Sequence, residues 1–115
     1  MYGADELQSI LNSLITDCRG LFGDKLSDIR LYGSYARGDQ TAYSDIDVLI
    51  LLDMSDDEAR SYLFSVCDIA SEIGLAHAGV NLSPHICSRV RYDRLKNFPG
   101  FYNNVMAEGV SMYAG

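Results

Sequence analysis

Two aspartates at alternate positions, Asp45 and Asp47, lead straight into an unbroken apolar run, Val48-Leu49-Ile50-Leu51-Leu52. In a strand, side chains at i and i+2 point to the same face, with a rise of roughly 3.3 Å per residue. The two carboxylates therefore project together from the start of a strand whose remainder is buried. Like charges on one face repel and resist desolvation unless a cation lies between them. Hard oxygen ligands of this kind suit Mg²⁺ or Mn²⁺. Upstream, a second short apolar run ends at Gly33-Ser34, and the polar turn Tyr35 to Ser44 separates it from the aspartates. A glycine at such a place lets backbone or phosphate approach closely, and the residues after it can open a helix whose free N–H groups face an anion. A phosphate cradle beside a metal-binding pair is the equipment for phosphoryl or nucleotidyl transfer.

The elements that must position these groups are short. Leu26 to Tyr32 alternates well enough for a first strand ending at Gly33-Ser34, and Ser34 to Arg37 reads as a helical turn broken at Gly38-Asp39. With so short a connection, the first two strands are expected to run antiparallel. The end of one then meets the start of the other, which brings Ser34 beside Asp45 and Asp47. Arg37 is placed either to contact a phosphate or to pair with Asp39.

Around this centre, residues 4–22 carry Leu7, Ile10, Leu11, Leu14, Ile15, Cys18, Leu21 and Phe22 as a helical stripe. Ser55-Asp56-Asp57-Glu58 is a capping box opening a helix expected to run to Ile73 and to stop at Gly74. Its acids are read as caps, not catalysts. Val80 to Cys87 reads as a third strand; Pro84 cannot donate to a ladder, so this strand lies at an edge or carries a bulge. Arg89, Arg91, Arg94 and Lys96 form the basic cluster, read as a solvated helix face that could also meet an acidic partner. Phe101 to Glu108 makes a last short helix, and Val110 to Tyr113 is a tail whose apolar residues can pack back. The fold class expected is α/β (α+β): a small mixed sheet of three or four strands flanked by helices, as one domain spanning residues 1–115.

Composition narrows the function. The 115 residues bury roughly two-thirds of their unfolded surface. Nine basic against sixteen acidic residues give a net charge of −7, so non-specific nucleic-acid binding is not expected. Cys18, Cys67 and Cys87 are odd in number and far apart, which fits reduced core thiols in a cytoplasmic protein. No apolar run approaches the roughly 18 residues of a membrane span, and the chain start lacks a basic leader region. His77 has no ligand partner at metal spacing, and the tyrosines are assigned no role.

Gly33-Ser34, ten residues, then Asp45-x-Asp47 resembles the signature of the DNA polymerase β-type nucleotidyltransferase superfamily. With Ala36-Arg37-Gly38-Asp39 and Ser44-Asp45-Ile46-Asp47, the string is similar to its minimal nucleotidyltransferase branch, small proteins paired with a helical HEPN partner in toxin–antitoxin modules. The resemblance implies the polymerase β-like fold and a Mg²⁺-dependent transfer of AMP from ATP to a protein acceptor, a HEPN-type toxin thereby silenced. It implies that Asp45 and Asp47 hold the metal and that Gly33 and Ser34 bind the β- and γ-phosphates. Members of the family carry a third carboxylate on the next strand. Here Val80-Asn81-Leu82 puts Asn81 at that place, and an amide coordinates through its oxygen but is no general base near neutral pH. In a register shifted by a few residues, Ser83 or His85 faces the site instead. Two other functions stay open: a nucleotidyltransferase-like module that neutralises its partner by contact alone, and a stand-alone transferase acting on a small molecule.

Overall fold

A computed structural model describes residues 4–114. Residues 1–3, part of the chain start read as lacking a leader, and residue 115 lie outside the described residues. The chain folds in the order α1 (Ala4–Phe22), a 3₁₀ turn (Gly23–Lys25), β1 (Leu26–Tyr32), α2 (Ser34–Arg37), β2 (Ile46–Leu52), α3 (Asp56–Arg60), α4 (Leu63–Ala76), β3 (Leu82–Ser88), α5 (Arg89–Leu95), α6 (Phe101–Glu108) and β4 (Val110–Ala114).

The four strands form one mixed sheet in the order β3-β2-β1-β4. β1 pairs antiparallel with β2, with Tyr32 opposite Asp47 and Leu31 opposite Val48, as the short connection predicts. β3 runs parallel to β2, with Leu82 beside Ile46 and Ser83 beside Asp47. Pro84 lies on this edge strand, where a missing donor is tolerated.

β2 is apolar at consecutive positions because both of its faces are covered. Ile46, Val48, Ile50 and Leu52 pack with Ile10, Leu11, Leu14 and Cys18 of α1 and Val66, Ala70 and Ile73 of α4. Leu49 and Leu51 face the other way, onto Tyr92 of α5 and Val105 of α6. Each such fully buried side chain contributes about 1.5–3 kcal/mol. The carboxylate-bearing strand is thus clamped on both sides, and of its residues only Asp47 reaches solvent.

Three expectations are corrected. The helix expected from Ser55 to Ile73 is two helices. Ser55 caps the first, its Oγ accepting from the Glu58 N–H at 3.1 Å. The ladder then breaks where Ser61 Oγ donates to the Glu58 carbonyl, and the Tyr62 ring turns in against Phe22, edge to face at 5.0 Å. Gly74 does not stop α4 but lies within it; a Cβ there would strike the Val80 carbonyl, so the glycine serves packing, and the chain turns instead at Ala78 (φ 59°) and Gly79 (φ 78°). The tail is a fourth strand, with Val110 opposite Leu31 and Ser111 opposite Arg30. A part-buried polar set fastens it: Asp28 accepts from Ser111 Oγ at 2.7 Å and from Arg30 at 3.2 Å, and Arg30 donates to the Gly109 carbonyl at 3.1 Å. Among the described residues no helix is long and apolar enough to cross a membrane.

Candidate functional site

The candidate site lies where β1 ends and β2 begins. Gly33 takes φ 75° and ψ −154°, a conformation essentially reserved for glycine. A Cβ at this position would run into the Asp47 carboxylate. Both the backbone angle and the space therefore require glycine, the space because Asp47 is packed against it. The Gly33 carbonyl accepts from Ala36 and Arg37, closing the single turn of α2. The N–H groups of Ser34 and Tyr35 precede that ladder. Gly38, in the left-handed region at φ 81°, ends the turn, as the sequence indicates.

Asp47 is half-buried in β2 on the face shared with Tyr32, and Asp45 lies exposed just before the strand. The Asp47 carboxyl is held above its ordinary pKa first by burial and then by the charge of Asp45; Arg37 opposes this, and Glu108 adds to it. Tyr32 is pushed up to about 12 by burial and by Asp47. A carboxylate pair of this kind is short of positive charge. Mg²⁺ is commonly held by one or two carboxylates with water and substrate phosphates completing its shell, so Asp45 and Asp47 fit that ion. Among the described residues no group of three His, Cys, Asp or Glu is arranged to hold a metal.

Asn81 lies next to the pair. Its Nδ2 donates to Asp45 Oδ1 at 2.6 Å, and its carbonyl accepts from the Ile46 N–H at 2.9 Å. Ser83 is the register neighbour of Asp47 on β3. His85 is two pairs further along, beside Leu49, exposed and with its ring against Phe101 at 5.0 Å.

Arg37 forms the ion pair that sequence allowed and one that it did not suggest. Its Nε donates to Asp39 at 3.1 Å, and its Nη1 donates to both oxygens of Glu108, each at 3.1 Å. Glu108 also accepts from the Gly33 N–H at 3.1 Å. The guanidinium is held above its ordinary pKa by these two partners, Asp39 first. Sequence reasoning passed over Glu108 as the end of a helix. One signal was available: a carboxylate in the last turn of a helix opposes the helix dipole, so an acid there invites the question of what cation or donor it meets. In the basic cluster, Arg89 and Lys96 both pair with Asp93, at 3.1 and 3.0 Å, and Arg91 with Asp56 at 3.9 Å. Arg89 and Lys96 are thus in local helix-face pairs, and Arg91 reaches across to α3.

Comparison with known proteins gives the family and the fold. Residues 11–99 match the family described as nucleotidyltransferase domain. A relative from Methanocaldococcus jannaschii, named provisionally as a protein adenylyltransferase, is 33% identical over 107 residues, covering 93% of this chain and 94% of the relative. Another from the same organism, with the same provisional name, is 36% identical over 78 residues, or 68% of this chain. The match spans about half, 52%, of that relative's length. Among solved structures, a toxin–antitoxin with AMP-PNP superimposes with a TM-score of 0.55 at 24% identity, covering 90% of this chain and 73% of that one. A mutant of the toxin–antitoxin MntA-HpeT superimposes with a TM-score of 0.54 at 21% identity, with the same coverage. At these identities the likeness is one of fold.

Proposed function

The chain belongs to the nucleotidyltransferase domain family, and from that premise we propose that it transfers AMP from ATP to a hydroxyl of a protein acceptor, with Mg²⁺. One observation carries this reading: the Gly33 backbone, in a glycine-only conformation, is packed directly on the Asp47 carboxylate, so that a phosphate cradle and a carboxylate pair share one corner of the sheet. The provisional name of the M. jannaschii relatives supports AMP and a protein acceptor.

Asp45 and Asp47 would hold the Mg²⁺, which when bound offsets triphosphate charge and polarises the α-phosphate. The Gly33 and Ser34 N–H groups and the Ser34 hydroxyl bind the β- and γ-phosphate oxygens, and Arg37 completes the contact once freed. In the transfer, the acceptor oxygen bonds to the α-phosphorus, the bond from that phosphorus to the bridging oxygen breaks, and pyrophosphate leaves. Asn81 orients Asp45 through its amide but cannot take the acceptor's proton. The base must come from elsewhere, and we assign it to the acceptor protein, which completes the site. That acceptor is a toxin of HEPN type; the resemblance to minimal nucleotidyltransferases and the fold shared with toxin–antitoxin structures support this reading.

Asn81 itself favours a second reading, a module that binds nucleotide and neutralises its partner by contact alone. Calorimetric titration of ATP with and without Mg²⁺, on the wild type and on Asp45→Asn/Asp47→Asn, tests the site. Metal-dependent binding lost in the double variant is expected. Mass analysis of the co-expressed partner then separates the two readings: a gain of one or more AMP groups supports transfer, and a tightly bound, unmodified partner refutes it.

A further inference from the structure

We propose that Glu108 is a built-in competitor for the nucleotide's phosphate. Its carboxylate, itself an anion with two oxygens, sits on the donors the phosphate needs: the Gly33 N–H at 3.1 Å and Arg37 Nη1 at 3.1 Å. The inference rests on the reading of Gly33 to Arg37 as the phosphate cradle, and it names what regulates that cradle.

The position of Glu108 is built by the fold. Val110 pairs with Leu31, so the residue two places before Val110 lies level with Gly33, two places beyond Leu31. Gly109 makes the turn between α6 and β4; its N–H donates to the Val105 carbonyl at 2.7 Å, and a Cβ there would collide with that carbonyl. Arg30 holds the Gly109 carbonyl at 3.1 Å. Glu108 is thus fixed at the mouth of the cradle by a strand pairing, a packed glycine and an ion-paired arginine. Its side chain retains 27% exposure, so it has a way out to solvent.

A role as the third metal-binding acid fits less well. Among the described residues no three-acid cluster forms, and the Glu108 oxygens are turned to Gly33 and Arg37. Arg37 gives its Nε to Asp39 and its Nη1 to both Glu108 oxygens, so those two donors are already taken when a phosphate arrives. Entry of a triphosphate displaces the carboxylate, takes its two donors and moves negative charge away from Asp47. Apparent affinity is lowered by the fraction of time the seat is free. A seat occupied about nine-tenths of the time lowers it about tenfold.

The test is calorimetric titration of the full chain with magnesium tripolyphosphate and with MgATP, on the wild type, Glu108→Gln and Glu108→Asp. Gln keeps an acceptor for the Gly33 N–H but drops the charge; Asp keeps the charge but is one methylene too short to hold both donors. Both variants are expected to bind both ligands several-fold more tightly than the wild type, up to about tenfold. Equal affinities in all three chains overturn the competitor role and leave the cradle standing. Weaker binding in either variant also overturns it, making Glu108 a support. Tighter binding in Gln alone reduces the effect to a general field and overturns occupancy of the seat. If no chain, wild type included, binds either ligand, the cradle reading itself falls and the competitor falls with it.

Discussion

Restoring an acid at residue 81 tests whether the asparagine there limits the chemistry. In the wild type the Asn81 amide donates to Asp45 at 2.6 Å, and both side chains are exposed. Asn81→Asp replaces that hydrogen bond with two carboxylates in near contact. At about 4 Å, like charges repel by about 1 kcal/mol in water and about 4 at an effective dielectric of 20. Exposure places this pair near the lower end, so with the lost hydrogen bond the metal-free variant should be about 1–3 kcal/mol less stable. In a domain of this size that lowers Tm by very roughly 4–15 °C. Mg²⁺ should recover the loss, because a cation between the carboxylates removes the term that caused it. The assay is thermal unfolding of wild type and Asn81→Asp in EDTA and in millimolar MgCl₂, followed by AMP transfer to the co-purified partner. A magnesium-dependent rise in Tm clearly larger in the variant is expected, with little gain in transfer because the acceptor supplies the base; a gain of about 10²–10⁴-fold would show instead that the base was missing. An equal magnesium effect in both chains would refute the argument that residue 81 shares a metal environment with Asp45. A restored metal effect with no gain in transfer would show that the acceptor already supplies the base.

Two further consequences concern the scaffold that holds the site. Gly33→Ala forces a side chain into a glycine-only conformation and against Asp47; about 2–5 kcal/mol of stability should be lost in urea titration, together with metal-dependent nucleotide binding. Burial, with a smaller contribution from Asp17, pushes the Cys18 thiol up to about 12 from its ordinary 9.0, so its neutral form is what the fold stabilises. That stability is complete below pH 9 and is lost as pH rises from there towards about 12, with a slope of up to about 1.4 kcal/mol per unit that Cys18→Ala should flatten. At neutral pH an alkylating reagent should modify Cys67, which is exposed, well before Cys18 or Cys87, which are buried; rapid labelling of all three would contradict the packing of α1 against the sheet.

What could be read from the sequence was what short-range physics determines. The run after Asp47 is apolar at every position because both faces of β2 are covered, and the ten residues between Ser34 and Asp45 admit only an antiparallel return. The stripe of α1 follows the helical period over five turns. By contrast, the direction of β3 depends on a crossover through α3 and α4 that no local pattern encodes. The break at Ser61 depends on one hydroxyl competing for the Glu58 carbonyl and on a tertiary contact between Tyr62 and Phe22. β4 is five residues long and half exposed; its pairing is decided by Asp28, Arg30 and Ser111, which meet only in the folded chain. Of the site residues, Gly33, Asp45 and Asp47 are brought together as their spacing suggested, and Asn81, singled out only through the family resemblance, lies beside Asp45. Glu108 was invisible because β4 carries it there from 75 residues away.

Asn81 and Glu108 pose one electrostatic question from two sides. Relative to the family pattern the site lacks a negative charge beside Asp45 and has one on the phosphate donors. The two residues share no hydrogen-bond partner: Asn81 holds Asp45, and Glu108 holds Gly33 and Arg37. Asp47 feels Asp45 and Glu108 together, and of the influences on its carboxyl Glu108 is the weakest. Residue 81 should therefore act on metal dependence and residue 108 on phosphate affinity, nearly independently. In a cycle of Asn81→Asp, Glu108→Gln and the double variant, MgATP binding energies should add to within about 0.5 kcal/mol. A larger coupling would mean that the nucleotide reaches both positions through one rigid metal–phosphate unit, and that the cradle and the carboxylate pair form one site, not two adjoining ones.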